Sequence, residues 1–309
     1  MPQILVRKTI QIKKEPHKIS PYIGDFHQWI KWSPWLILDP KVSVRVDASG
    51  SYYAWESPIL GAGEMHLLHQ ENHEFICSLE FFKPWRSKAQ VCFYLNPLHN
   101  GTLVVWTMKT DLPLYLFWMK KQMKLAIELD YERGLQLLKS LIETGGTESK
   151  LRIIGLVKTE ETPYIGLRRK TSYIAYKSEM SSDFRDLISY TAENYSEQLN
   201  GPPFSIYNEF NILKNKVDYT VGVPIKHYLA ALKHSRSFLA YQRPALKAYS
   251  IEHQGPYKHL ANAWAAQFMH QRSGQFKRKK SIPPLEIYHH NPNHSKKTAF
   301  RTEVLFPAQ

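Results

Sequence analysis

The sequence is poor in the features that mark secreted, metal-binding or membrane-spanning proteins. Its 309 residues include only two cysteines, Cys77 and Cys92, which are too few for a disulfide framework or a zinc site. The longest apolar run, LPLYLFWM at 112–119, is well short of the roughly 20 residues that a membrane-spanning helix needs. The first residues become basic where a secretory signal is apolar. We therefore expect two buried thiols and a cytoplasmic location.

Motifs of common catalytic and metal sites are also missing. The sequence has no glycine-rich phosphate loop, no G-x-S-x-G elbow and no H-E-x-x-H pair. The run HHNPNH contributes His289, His290 and His294, but the first two face opposite sides of a strand and no carboxylate or cysteine completes a metal-binding spacing. We expect these histidines to be solvated, and we expect neither a metal nor a cofactor.

Acidic residues are scarce in the second half of the chain. The net charge is +14, yet residues 1–146 hold 17 basic and 14 acidic residues, whereas the remainder holds 24 and 13. Such a positive field favours nucleic acid, anionic membranes or acidic proteins as partners. No helix-turn-helix, zinc-finger spacing or RNA-binding aromatic box accompanies it. We expect no direct DNA binding, no membrane partner and a solvated KRKK loop at 277–280, and we leave a protein partner open.

Residues 1–146 have the pattern of one domain of the usual size, about 150 residues. A strand-like segment at 4–12 precedes a short helical stretch and six strand-like runs, separated by turn signals such as His99-Asn100-Gly101. A long helical pattern follows and ends at Gly145-Gly146. Its apolar face is formed by Ile127, Tyr131, Leu135, Leu138 and Ile142. The order predicts a curved antiparallel sheet that grips a C-terminal helix.

Four segments carry a family resemblance in this half: HQWIKWSPW, GSYYAWES, GTLVVWTM and YERGLQLLKSLIE. Through them residues 1–146 resemble the SRPBCC (polyketide-cyclase-like, START-like) helix-grip proteins. The resemblance implies an apolar cavity between sheet and helix and does not imply any specific chemistry. The aromatic side chains here suit either a cavity lining or a filled core. They are Trp29, Trp32, Trp35, Tyr53, Trp55, Phe82, Trp85, Trp106 and Trp118.

The second half contains an internal duplication. PYIGLRRKTSY at 163–173 aligns with KAYSIEHQGPY at 247–257, and GPPFSIYNEF at 201–210 aligns with IPPLEIYHHN at 282–291, with offsets of 84 and 81. DYTVGVPI aligns with FRTEVLFPA at a similar offset, and a helical pattern lies between the first two segments of each copy. Each copy predicts the order β-α-β-β. Two copies predict a pseudo-twofold arrangement with a groove between the repeats.

The duplicated half resembles a second family. The residues that carry this resemblance are Gly166-Leu167-Arg168, His253 to Tyr257, Glu286-Ile287-Tyr288 with Asn291-Pro292, and Thr302-Glu303-Val304 with Pro307. Over residues 150–309 they look like the GyrI-like domain, a small-molecule-binding module also found at the C-terminus of multidrug-responsive transcription regulators. In those regulators a DNA-binding domain precedes this module, whereas here the helix-grip domain precedes it. The resemblance therefore does not imply that this protein binds DNA. The predicted fold class is α+β, with the two domains meeting between residues 146 and 150.

Glu286 is the main candidate for a ligand-binding residue. Strand alternation places Glu286 and Tyr288 on one face, and the first repeat supplies Ser205 and Tyr207 at the equivalent positions. The resemblance implies a pocket carboxylate among aromatic rings that binds bulky cations, and Glu286 matches that position. Aromatic faces attract cations, and tyrosine hydroxyls donate to carboxylates. Further candidates for the lining are Tyr257, Trp264, Phe204, Tyr164 and Glu303.

Three functions stay open at this point. The leading hypothesis is a protein that binds, senses or sequesters a hydrophobic, cationic small molecule without catalysis. The second, which the GyrI-like resemblance implies, is a hydrolase of electrophilic, cyclopropane-type compounds, with Glu286 as general base assisted by Tyr288. The third is a protein-interaction role like that of gyrase-modulating relatives. The purely structural alternatives are an ion pair of Glu286 with an Arg or Lys, and of Glu303 with its neighbour Arg301.

Overall fold

The computed structural model describes residues 3–71, 73–83, 86–112, 114–235, 237–289 and 300–309. It has mixed α+β architecture with two large antiparallel sheets, which confirms the predicted class. The chain forms two compact units. Unit 1 comprises Met1–Lys150 and Pro256–Ser273, and unit 2 comprises Leu151–Gly255 and Gly274–Gln309. No helix within the described part of the chain is long and apolar enough to cross a membrane.

Unit 1 is built on a seven-stranded sheet in the order β1-β7-β6-β5-β4-β3-β2, in which all neighbours are antiparallel. The strands are β1 (Gln3–Ile12), β2 (Ser43–Val46), β3 (Tyr52–Ser57), β4 (Gly61–Glu71), β5 (Glu74–Lys83), β6 (Ser87–Leu98) and β7 (Gly101–Asp111). Its helices are α1 (Pro16–Gly24), α2 (Phe26–Trp29) and α3 (Lys120–Thr144), and α5, described below, also belongs to it. The order of elements follows the sequence prediction.

The core of unit 1 forms between the sheet and α3. Tyr131, Leu135 and Leu138 are buried there, and Ile127 and Ile142 pack against the same cluster, so the predicted apolar face of the helix is the packed one. Trp29, Trp32 and Trp106 are among its largest fully buried side chains. Two of the candidate aromatics are not in this core, because Phe82 is 36% and Trp118 63% exposed. Trp85 lies outside the described residues.

Unit 2 contains the first repeat in full and the three strands of the second. The first repeat is β9 (Thr162–Thr171), α4 (Tyr176–Tyr195), β10 (Phe204–Asn211) and β11 (Lys216–Pro224). The second is β13 (Leu246–Gln254), α5 (Ala261–Arg272), β14 (Leu285–Tyr288) and β15 (Arg301–Pro307). Both have the predicted order β-α-β-β. Two strands, β8 (Lys150–Thr159) and β12 (Leu239–Arg243), lie outside the repeats and form the edges of the sheet.

The sheet of unit 2 has the order β12-β9-β11-β10-β14-β15-β13-β8. Its six inner strands are two equivalent triplets that meet where β10 pairs with β14. In that antiparallel pair Ser205 lies opposite Glu286, and these two residues are also equivalent in the repeats. Equivalent residues of antiparallel strands face each other only at a twofold axis. The pseudo-twofold axis therefore passes between Ser205 and Glu286.

The segment 256–273, which includes α5, belongs to unit 1 although it is the helical part of the second repeat. Buried polar contacts hold it to α3. The Arg133 guanidinium donates to Asn262 Oδ1 at 2.9 Å, and His259 Nε2 lies 3.0 Å from Ser140 Oγ. Burial lowers the pKa of His259 to about 4, with a smaller contribution from a neighbouring lysine. The imidazole is therefore neutral at pH 7.

The hairpin between β6 and β7 shows why the predicted turn residues are needed. His99 and Asn100 form a two-residue loop, and Gly101 pairs with Leu98. Gly101 has a φ of +119°, a conformation that side chains with a Cβ rarely adopt. A Cβ at this position would stand 2.1 Å from the carbonyl oxygen of Ile12. The close approach of β1 therefore requires glycine.

We expect Gly101→Ala to lower the free energy of unfolding by about 2 kcal/mol or more, because it combines backbone strain with a clash against rigid backbone. Gly146→Ala is the matched control, since a Cβ there meets no atom within 4 Å. Urea unfolding of the two variants checks this. Equal stability of both variants would contradict it.

Candidate functional site

The candidate site lies at the junction of the two repeats. Glu286 is only 3% exposed and Ser205 is fully buried. The Glu286 carboxylate accepts a hydrogen bond from the Tyr207 hydroxyl at 2.8 Å, a longer one from Ser205 Oγ at 3.4 Å, and a short one from the Tyr288 hydroxyl. The hydroxyls of Ser205 and Tyr288 lie 2.8 Å apart. The structure thus brings together Glu286, Tyr288 and Tyr207, as predicted from strand alternation and the duplication.

Proline pairs position this junction symmetrically. The backbone N–H of Tyr207 donates to the Pro284 carbonyl at 3.0 Å, and that of Tyr288 donates to the Pro203 carbonyl at 2.9 Å. These two bonds are equivalent under the duplication. Proline has no backbone N–H, so at the beginning of a strand its backbone can accept a hydrogen bond but cannot donate one. The PPFSIY and PPLEIY segments therefore fix the register that sets Ser205 opposite Glu286.

Helix α4 contributes apolar side chains to the surroundings of the two tyrosines. Met180 Sδ lies 3.9 Å from the Tyr207 hydroxyl, and the Phe184 ring meets the Tyr288 ring edge-on at 5.3 Å between centroids. Burial, and secondly the nearby Glu286 charge, raise the pKa of Tyr207 and Tyr288 well above the ordinary value of a phenol. Both hydroxyls are therefore protonated donors at neutral pH.

A second buried carboxylate, Asp183, fixes α4 to the same face of the sheet. Arg169 donates to its two oxygens at 2.7 and 2.5 Å, and the Tyr219 hydroxyl donates at 2.6 Å. Sequence reasoning did not find this arrangement. The sequence does contain a signal for it. Asp183 lies three residues after Met180 and four before Leu187, so it falls on the buried stripe of the helix.

Two predicted lining residues lie on the opposite face of the sheet. Phe204 directly precedes Ser205 and therefore faces the other way. Its ring meets Tyr164 at 4.9 Å, Tyr164 stacks on Tyr241 at 5.3 Å, and the Arg243 guanidinium lies 5.2 Å above Phe204. Tyr164 and Phe204 thus form an aromatic cluster separate from Glu286.

Glu303 also faces away from Glu286, because it pairs with Ile287. It accepts from Ser250 Oγ at 2.5 Å and lies 3.2 Å from His289 Nε2. The hydrogen bond with His289 is the main cause of the lowered pKa of Glu303. His289 is exposed, as expected, and it also contacts Glu303, whereas Arg301 pairs with Glu252 at 3.2 Å instead of with Glu303.

The remaining candidates divide between unit 1 and the undescribed part of the chain. Tyr257, which is 39% exposed, and Trp264, whose ring lies 6.4 Å from that of Phe268, both belong to unit 1. His290, Asn291, Pro292 and His294 lie outside the described residues. Within the described ranges no group of three or more His, Cys, Asp or Glu side chains could hold a metal ion.

Unit 1 contains an apolar cavity of about 50 Å³. It is lined by aromatic and apolar side chains, among them Trp29, Trp35, Trp55, Trp106, Tyr131 and Met269. The indole N–H groups of Trp29 and Trp106 and the hydroxyl of Tyr131 are buried and have no hydrogen-bond partner among the described residues. Unsatisfied buried donors are rare in folded proteins, so three around one cavity call for an explanation.

The raised pKa values of Tyr207 and Tyr288 predict a loss of stability in alkali. In the unfolded chain these phenols ionise near pH 10, whereas in the folded protein they stay protonated to a higher pH. Their contribution is complete below about pH 10 and is lost as the pH rises above it. We expect Tyr207→Phe and Tyr288→Phe to make the free energy of unfolding fall less steeply above pH 10.

Urea unfolding at several alkaline pH values checks this, with Tyr228→Phe as the control because Tyr228 is 55% exposed. The same slope in all four proteins would show that the two phenols are not coupled to folding.

Comparison with known proteins gives one family and several distant structural similarities. The C-terminal domain of EcmrR matches with 16% identity and a TM-score of 0.42, covering 52% of this chain and 98% of that one. EcmrR in its DNA complex matches with 14% identity and a TM-score of 0.41, covering 64% and 72%. Protein MLL2253 from Mesorhizobium loti matches with 15% identity and a TM-score of 0.36, covering 45% and 96%. No curated protein matches the sequence.

The family model of the GyrI-like small molecule binding domain matches residues 154–309, which is a little over half of the chain. This stretch contains both repeats and the junction around Glu286. The chain belongs to the GyrI-like family of small-molecule-binding proteins.

Proposed function

We propose that unit 2 binds a hydrophobic cation at the repeat junction, with Glu286 as its counter-charge, and that the protein senses or sequesters this molecule. The observation that carries the proposal is the buried Glu286 carboxylate on the pseudo-twofold axis, hydrogen-bonded by hydroxyl groups. A hydroxyl stabilises a carboxylate by donating to it but does not neutralise its charge. In these apolar surroundings a carboxylate would act strongly on a cation that displaces its covering side chains.

The surrounding side chains suit a flat or bulky organic cation. The rings of Tyr207, Tyr288 and Phe184 offer faces that attract positive charge, and Met180 is flexible and polarisable. Because Glu286 is 3% exposed, a ligand reaches it only when covering side chains move aside. Tyr288 and Phe184 are only partly buried and are the side chains that we expect to move.

The overall charge of +14 opposes the approach of a cation from solution. Added salt screens this repulsion between distant charges, but it screens the buried attraction to Glu286 much less. The affinity for a lipophilic cation should therefore rise or stay constant with ionic strength. This behaviour distinguishes a buried counter-charge from surface adsorption.

We expect Glu286→Gln to weaken binding of tetraphenylphosphonium by about tenfold or more, because the amide keeps the shape but removes the charge. Glu303→Gln is the matched control, since it neutralises a partly buried carboxylate on the opposite face of the same sheet. Isothermal titration calorimetry gives both affinities, and thermal unfolding confirms that both variants are folded. Equal affinities in wild type and Glu286→Gln would exclude Glu286 as the counter-charge.

The same constellation supports a hydrolase as the second candidate. Glu286 can accept a proton from water, while the protonated hydroxyls of Tyr207 and Tyr288 can donate to a developing negative charge. Turnover of a cyclopropane-bearing electrophile that disappears in Glu286→Gln would support catalysis. Stoichiometric binding without product would support sensing or sequestration.

For unit 1 we propose a separate ligand site of the helix-grip kind, following the SRPBCC resemblance. The sheet, helix α3 and the apolar cavity support it, and so do the three unpartnered donors of Trp29, Trp106 and Tyr131. Such donors favour a ligand that carries a hydrogen-bond acceptor, such as a ketone, and the cavity of about 50 Å³ must widen by side-chain movement to admit an aromatic one.

We expect Tyr131→Phe to raise the free energy of unfolding by about 1 kcal/mol, because it removes a buried hydroxyl without a partner. The same variant should bind acetophenone more weakly than wild type does and bind toluene equally well. Tyr53→Phe is the control, because Tyr53 is another buried tyrosine of this core. Both affinities can be measured by ligand-observed NMR. If Tyr131→Phe changes the affinities for acetophenone and toluene equally, the Tyr131 hydroxyl does not contact the ketone oxygen.

A further inference from the structure

A short stretch before and within the first turns of α3 exposes aromatic and basic side chains together. Phe117 is 66% and Trp118 63% exposed, although both are large apolar residues. Lys120, Lys121 and Lys124 follow and are also exposed. We call these five residues the aromatic–lysine patch. Exposure of two consecutive large rings does not stabilise a fold, so it points to a partner.

The lysines of the patch do not stabilise the N-terminal end of α3. The first turn of this helix has no acidic residue, and its N-cap has no side-chain hydrogen bond. Positive charges near the N-terminus of a helix oppose the helix dipole. Lys124 pairs with Glu128 at 3.8 Å, but within the described chain neither Lys120 nor Lys121 forms an ion pair. Two of the three positive charges are thus available to an external anion.

The local sequence strengthens this charge. Residues 112–127 contain three lysines and no acid, although residues 1–146 as a whole are nearly balanced. Asp111 and Glu128 flank this stretch and Glu128 pairs with Lys124, so the uncompensated charge beside the exposed rings is that of Lys120 and Lys121. A charge of one sign next to protruding aromatic side chains is the pattern of segments that lie in the interface of an anionic membrane.

We propose that the aromatic–lysine patch docks unit 1 on an anionic lipid surface. Trp118 and Phe117 enter the headgroup layer, where amphipathic and aromatic rings are favoured, and Lys120 and Lys121 contact lipid phosphates. The contact is peripheral and needs no spanning segment, and it revises the expectation from sequence that the protein has no membrane partner. It is independent of the ligand site in unit 2, since no residue of the patch belongs to that unit.

Vesicle sedimentation with the full-length protein tests the proposal. We expect binding to phosphatidylcholine vesicles that contain phosphatidylglycerol, no binding to pure phosphatidylcholine, and a decrease with added salt. The variants Phe117→Ala/Trp118→Ala and Lys120→Glu/Lys121→Glu should each reduce the partition coefficient by about tenfold or more.

Matched controls separate the patch from general effects. Lys279→Glu/Lys280→Glu makes the same change in charge at two exposed neighbouring lysines, and Leu5→Ala/Leu68→Ala removes two apolar side chains that are 60% and 64% exposed. Both controls should bind vesicles nearly as wild type does, and all variants should keep the melting temperature of wild type. Equal losses in the two lysine pairs would show unspecific attraction to the net positive chain and would overturn the proposal. Wild-type protein that stays in the supernatant at low salt would also overturn the proposal. That result is expected if the patch binds only another protein.

Discussion

The antiparallel pairing of β10 with β14 is the constraint on which unit 2 depends. The two strands are copies of one another, so corresponding residues become neighbours across the junction. A difference between the copies is then placed at the centre of an otherwise symmetric sheet. Two carboxylates there would repel each other at close range, and two serines would supply no charge. Ser205 opposite Glu286 gives a single charge on the axis, with a tyrosine from each copy donating to it.

The two buried carboxylates on this face differ in their partners, and this separates their roles. Asp183 is bound by both arms of the Arg169 guanidinium, a charge-assisted geometry that holds α4 in place. Glu286 accepts hydrogen bonds from the hydroxyls of Ser205 and the two tyrosines. The first arrangement holds the helix in position, whereas the second is the one that we propose as the ligand site.

Local patterns predicted much of this structure. The order of elements in the first half, the buried face of α3 and the duplication follow from periodicity and turn residues, which act over a few positions. Strand alternation also predicted that Tyr288 joins Glu286. It could have shown that Phe204 faces away, because Phe204 adjoins Ser205. The contact of Arg169 with Asp183 and the exposure of Trp118 depend on packing between distant segments, which a single sequence does not encode locally.

Segment 256–273 has a consequence for how the chain matures. Neither unit is encoded by one continuous stretch, because the chain passes from one unit to the other after residues 150, 255 and 273. During synthesis Arg133 and Ser140 leave the ribosome long before Asn262 and His259, with which they form hydrogen bonds in the folded protein. The N-terminal unit therefore cannot finish folding before most of the C-terminal one exists. We therefore expect the two units to complete folding together, late in synthesis, and not one after the other.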